Sequence, residues 1–162
     1  MAMPGTPDNY LSYVDVRDLA AHTRRCLENG IVDIQNMVNA PNSNNWGNYL
    51  KQAIALSKSD VEVEWLPSEF LAIQEGFDGL WSPFPMWMDN NNPSLGNFTS
   101  MSQSRAVKSG FTNRPFRETV IDTFNWWMAQ SEERRTTNKR DNFPLSRERS
   151  LLEAWAKYNK AS

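Results

Sequence analysis

Only two stretches of this chain carry the pattern of a β-strand, and that scarcity limits the possible folds more than any other feature of the sequence. Residues 31–38 mix Ile31, Val32, Ile34 and Val38 with Asp33, Gln35 and Asn36, between the stop at Gly30 and the break at Asn39-Ala40-Pro41. In residues 61–66, Val61, Val63 and Trp65 alternate with Glu62 and Glu64, as in a strand wet on one side. The remaining periodicity is helical. Asp15 sits at an N-cap before the apolar spacing of Val16, Leu19, Ala20, Thr23 and Leu27, which predicts a helix over 16–29. A second helix should begin near Asn42 to Asn45 and bury Trp46, Tyr49, Leu50, Ala53 and Ile54. Shorter ones are expected after Pro67, with Phe70, Leu71 and Ile73 inward, and over 102–109 ahead of Gly110. Further helices are expected over 118–130, with Val120, Ile121, Phe124, Trp127 and Met128 inward, and over 146–159. Two strands among so many helices leave sheet edges unpaired, so the pattern predicts part of a larger α/β unit.

The chain has 162 residues, 40% of them hydrophobic, enough for one domain with its own core. A net charge of -2 gives no broad positive field, which argues against nucleic acid or an acidic membrane surface as a partner. The acid is concentrated. From Ser59 to Ser104 there are seven carboxylates and no Lys or Arg, so a site built from that stretch alone is poorly equipped to hold a phosphate. The single cysteine, Cys26, fits a reducing compartment, and the expected location is the cytoplasm.

Residues 77–100 show no regular period and read as a long loop dense in aromatics. Trp81, Phe84, Met86 and Trp87 in that loop are candidate walls of an apolar substrate pocket, and Arg105 is its candidate rim cation. The same aromatics would also serve simply to pack the loop against the lobe. His22 and Cys26, four apart on one helix, are too few for a zinc site. Glu62 and Glu64 fall on the wet face of a strand, and Asp15 reads as a helix cap before it reads as a catalytic acid.

Tyr13-Val14-Asp15-Val16-Arg17-Asp18-Leu19-Ala20 is followed in order by Val38-Asn39-Ala40-Pro41, by Ser104-Arg105-Ala106-Val107-Lys108-Ser109-Gly110-Phe111 and by Arg114-Pro115-Phe116-Arg117-Glu118-Thr119-Val120. This succession resembles the C-terminal, substrate-binding portion of the extended short-chain dehydrogenases/reductases, the NAD-dependent epimerase/dehydratase family. The resemblance covers roughly residues 4–128. It implies an α/β fold class, α+β in isolation, with residues 13–41 a strand-helix remnant of a Rossmann sheet and residues 31–38 its last strand. Residues 1–130 would be the substrate lobe, and residues 131–162 a charged linker and terminal helix.

The resemblance also implies NAD or NADP as the cofactor of a full-length relative, but no cofactor in this chain. The glycine-rich turn is absent, and Tyr10, Tyr13, Tyr49 and Tyr158 are followed four residues later by Val14, Arg17, Ala53 and Ser162 instead of a lysine. The chain alone is therefore expected to be inactive. Its expected partners are a missing N-terminal Rossmann half, or a second copy joined through residues 31–38, and a small substrate that is uncharged or aromatic. A stand-alone module that binds small molecules or proteins without chemistry is the alternative.

Overall fold

The computed structural model describes residues 1–77, 84, 87–88, 98–136 and 143–161. The architecture is mixed α/β and mostly helical, with one small parallel sheet. Its strands are β1 (Ala2–Pro4) and β2 (Glu64–Leu66), in register Ala2 to Glu64, Met3 to Trp65 and Pro4 to Leu66. Gly5 N–H donates to Leu66 O at 2.8 Å and Glu64 N–H to Met1 O at 2.9 Å, extending the ladder at both ends. A parallel pair needs a long crossover. Here it contains α1 (Val16–Glu28) and α2 (Trp46–Ser57).

The other helices are α3 (Ser68–Leu71), α4 (Ser104–Lys108), α5 (Phe116–Met128), α6 (Glu132–Thr136) and α7 (Leu145–Ala161), with a single 3-10 turn at Phe98–Ser100. α1 starts where Asp15, extended at ψ 130°, accepts the Arg17 N–H. It stops at Gly30, whose φ of +62° only glycine adopts freely, and Ile31 N–H then closes onto Cys26 O at 2.9 Å. Asn45 caps α2 by accepting from Asn48 N–H.

The core lies over the sheet. Ala2, Leu66, Phe70, Leu71, Phe84, Trp87 and Leu151 are buried together, with Phe77, Phe143, Leu152, Ala154 and Trp155 packed around them. Two hydrogen bonds pin α7 to the sheet: Ala2 N–H to Glu148 Oε1 at 2.7 Å, and Trp155 Nε1–H to Glu64 Oε1, also at 2.7 Å. A second aromatic group joins α2 to α5, with the Tyr13 and Phe116 rings 4.8 Å apart and Tyr49 beyond them.

Two expectations about strands change. Residues 31–38 pair with no strand among the described residues, although their backbone is held at one end by Asn39 N–H to Tyr13 O, 2.9 Å. Their cover is uneven: Ile31, Gln35 and Met37 are half-covered and Val38 is buried, while Asp33 and Asn36 are exposed and Val32 and Ile34 stand 97% and 84% exposed. The strand β1 was not expected, because Ala-Met-Pro has neither alternation nor β-branched residues. Its place comes from covering Leu66 and α7, and Pro4 is tolerated at the end of an edge strand. On the helices, Ile73 lies beyond the end of α3 and is exposed, and Met128 at the end of α5 is half exposed, whereas Val120 is buried as expected.

Candidate functional site

Of the residues singled out as a pocket wall, Phe84 and Trp87 are buried members of the core, 6% and 9% exposed. Phe84 lies between Phe77 and Phe143, at ring distances of 5.7 and 4.3 Å. Trp87 Nε1–H is buried without an acceptor among the described residues. Trp81 and Met86 fall outside the described residues. Arg105 engages a different part of the molecule, with Asp33 Oδ1 at 3.5 Å and Ile34 O at 3.4 Å, so its guanidinium lies over residues 31–38.

A cavity of about 550 Å³ opens beside the core, between the turn that follows α3 and the first turns of α7. Its lining is Gln74, Glu75, Gly76, Phe77, Arg147, Ser150 and Leu151. Gly76 turns at a φ of +77°, and a Cβ there would stand 2.7 Å from Arg147 Nη2, so the glycine is what lets the guanidinium approach the backbone. Arg147 Nη2–H donates to Glu75 O at 2.8 Å, and its Cζ lies 5.4 Å above the centre of the Phe77 ring. Phe77 in turn packs on Phe84, so the cavity wall is continuous with one expected pocket residue. Sequence reading missed Arg147. The available signal was its position four residues before Leu151 and eight before Trp155, which places it on the buried stripe of α7.

A knot of carboxylates and guanidiniums holds the two sequence motifs of the resemblance together. Asp15, 5% exposed, accepts from Arg17 N–H and Nε–H, both at 2.9 Å, from Arg17 Nη2–H at 2.7 Å and from Thr119 Oγ1–H at 2.8 Å. Arg17 also reaches Asp122 on α5. Asp18 takes Arg114 through its backbone N–H at 2.9 Å and its guanidinium at 2.7 Å. The Arg17 hydrogen bond, reinforced by Thr119 and Arg114 against the cost of burial, holds the Asp15 carboxyl well below the ordinary carboxylate range. Burial, with the charges of Asp18 and Asp15, pushes the Tyr13 phenol up despite its hydrogen bond from Asn44. This arrangement suits a fixed joint, since both oxygens of Asp15 and both of Asp18 accept hydrogen bonds.

His22, 3% exposed, lies edge-on to Phe111 with ring centres 5.3 Å apart. Its Nε2 is 2.7 Å from Gln35 Oε1 and 3.5 Å from Cys26 Sγ, which ties α1 to residues 31–38. Among the described residues no group of three His, Cys, Asp or Glu is placed to hold a metal. The starts of α1 and α5 carry acidic side chains. The start of α1 is filled by the Asp15 carboxylate, with Asp18 in its first turn, and α5 begins at a proline followed by Glu118. An acid in the first turn disfavours a phosphate at those two helix starts.

No family model, curated protein or solved structure matches this chain. Among the described residues, no helix is long and apolar enough to cross a membrane.

Proposed function

We propose that this chain is the C-terminal, substrate-binding part of an NAD(P)-dependent epimerase, dehydratase or reductase of the extended short-chain type, working in the cytoplasm beside a dinucleotide-binding half. The observation that carries this reading is the incomplete cover of residues 31–38, in which Val38 is buried but Val32 and Ile34 are not. The segment is anchored through Gln35 to the buried His22, while Val32 and Ile34 stand in water. An extended, β-branched segment with incomplete cover fits a strand awaiting sheet neighbours and a further layer. The partner half would supply the glycine-rich turn and the Tyr/Lys pair that the sequence lacks. A second reading, a stand-alone module that binds without chemistry, is favoured by the cavity under Arg147, which α7 and the turn after α3 form between them.

The coding DNA upstream of Met1 separates the two. A glycine-rich turn and a Tyr-x-x-x-Lys encoded there, and NAD(P)-linked turnover that appears only when both halves are present, would support the half-enzyme. An upstream region without either motif would leave the binding module as the better reading.

A further inference from the structure

We propose that the cavity between the turn after α3 and the start of α7 is a binding site for a small monocarboxylate with an apolar body, its carboxylate held by Arg147. The site stands independently of the half-enzyme reading, because it uses none of residues 13–41.

The cavity is lined by a cation without a carboxylate partner among the described residues. Arg17, Arg24, Arg105 and Arg114 each face an Asp or Glu; of the other described arginines, which face no described Asp or Glu within ion-pair distance, Arg147 is the one that lines the cavity. Arg147 has no carboxylate within ion-pair distance among the described residues, and its hydrogen bond goes to a neutral backbone oxygen, Glu75 O. A guanidinium carries five N–H donors, so the fork retains capacity for a bidentate acceptor. Its orientation is already set. The Phe77 ring below it and the Glu75 carbonyl beside it fix the plane, and Gly76 leaves room for that plane to sit against the backbone. A ligand therefore meets a preorganised fork and does not have to order a long flexible side chain.

The rest of the lining selects among anions. Phe77 and Leu151 give the cavity an apolar wall, while Gln74 and Ser150 supply polar groups at its margin. The volume, about 550 Å³, lies within the range of small-molecule sites. One cation beside Glu75 cannot balance a doubly charged phosphate, but it matches a single carboxylate in both charge and planarity. The cation comes from α7, outside the acid-rich stretch from which no anion site was expected.

Benzoate, benzamide and inorganic phosphate are suitable probes on the full chain, followed by calorimetry and by amide chemical shifts. Benzoate should bind saturably in about the millimolar range expected of so small a ligand, shifting the Gly76 and Ser150 amides. Benzamide, of the same shape without the charge, should bind at least about tenfold more weakly, and phosphate should not displace benzoate. Arg147→Gln should lose at least about tenfold in benzoate affinity, and Arg147→Lys, which keeps the charge but not the fork, should lose less. Equal binding of benzoate and benzamide, displacement by phosphate, or benzoate shifts confined to other residues would each overturn the assignment. The shift map on the wild-type chain serves even if Arg147→Gln fails to fold.

Discussion

Replacing Asp15 by alanine tests whether the knot at the start of α1 is a structural joint. The substitution removes the N-cap oxygen that accepts Arg17 N–H, a loss of about 1 kcal/mol. It leaves the part-buried Thr119 hydroxyl without its acceptor, about another 1 kcal/mol. Arg17 is nearly half exposed and keeps Asp122, so its guanidinium returns to water at a cost of about 0–1 kcal/mol. Arg114 keeps Asp18, and its 3.5 Å contact with Asp15 adds little. The total is about 2–3 kcal/mol, a large share of the ~5–15 kcal/mol that holds a domain together.

Urea unfolding followed by tryptophan fluorescence and circular dichroism should show this as a lower midpoint with an unchanged slope. Asp15→Asn keeps the cap but loses the charge, and should cost about half as much. Acid supplies a second check. Folding lowers the Asp15 pKa below its ordinary value of 3.8, so the folded state binds fewer protons there than the unfolded chain. The advantage of wild type over Asp15→Asn is therefore complete above that ordinary value and shrinks as pH falls below it. A loss under ~0.5 kcal/mol in Asp15→Ala, or a gap between wild type and Asp15→Asn that widens on acidification, would refute the joint.

Titration of the isolated chain with NAD(H) or NADP(H), read by calorimetry, should give no saturable binding, because the sequence has no glycine-rich turn and the first turns of α1 and α5 carry acids; micromolar binding to a monomer would contradict this. Phe84→Ala should destabilise the chain by about 3–5 kcal/mol in urea, since the ring is buried between Phe77 and Phe143; a loss below ~1 kcal/mol would mean that it lines open space. Light scattering should show weak, concentration-dependent self-association of the wild type that Ile34→Lys abolishes, with the melting temperature unchanged because Ile34 is 84% exposed. A strictly monomeric wild type at all concentrations would remove the argument from residues 31–38.

The helices were legible because their limits are written in local chemistry. Asp15 and Gly30 bracket α1, and Asn45 caps α2. α5 begins two residues before the expected start, since Pro115 at its N-cap lets Phe116 enter the first turn and reach Tyr13. β1 was not legible: a three-residue strand whose pairing is set by β2 and α7 leaves no period to read. In the loop, aromatic density marks a need for burial but does not say whether a ligand or the core provides it, and Phe84 and Trp87 went to the core. Arg147 was hidden in a charged segment, where a cation on the inner stripe of a helix resembles its solvated neighbours until a partner surface such as Phe77 is placed.

The energetics of residues 31–38 favour one kind of cover over another. Burying Val32 and Ile34 fully would gain about 1.5–3 kcal/mol each, or roughly 3–6 kcal/mol together. Association of separate chains costs at least ~4 kcal/mol in lost translation and rotation, and a stable interface needs ~1,200 Å² or more. Two apolar side chains and a short backbone edge therefore support only weak pairing between copies. A half joined by the peptide chain incurs little of that translational cost, and it would also give residues 31–38 the strand pairing that they lack among the described residues. On these magnitudes the exposed face is worth more within a continuous polypeptide than between two of these chains, which is the arrangement that the substrate-lobe reading requires.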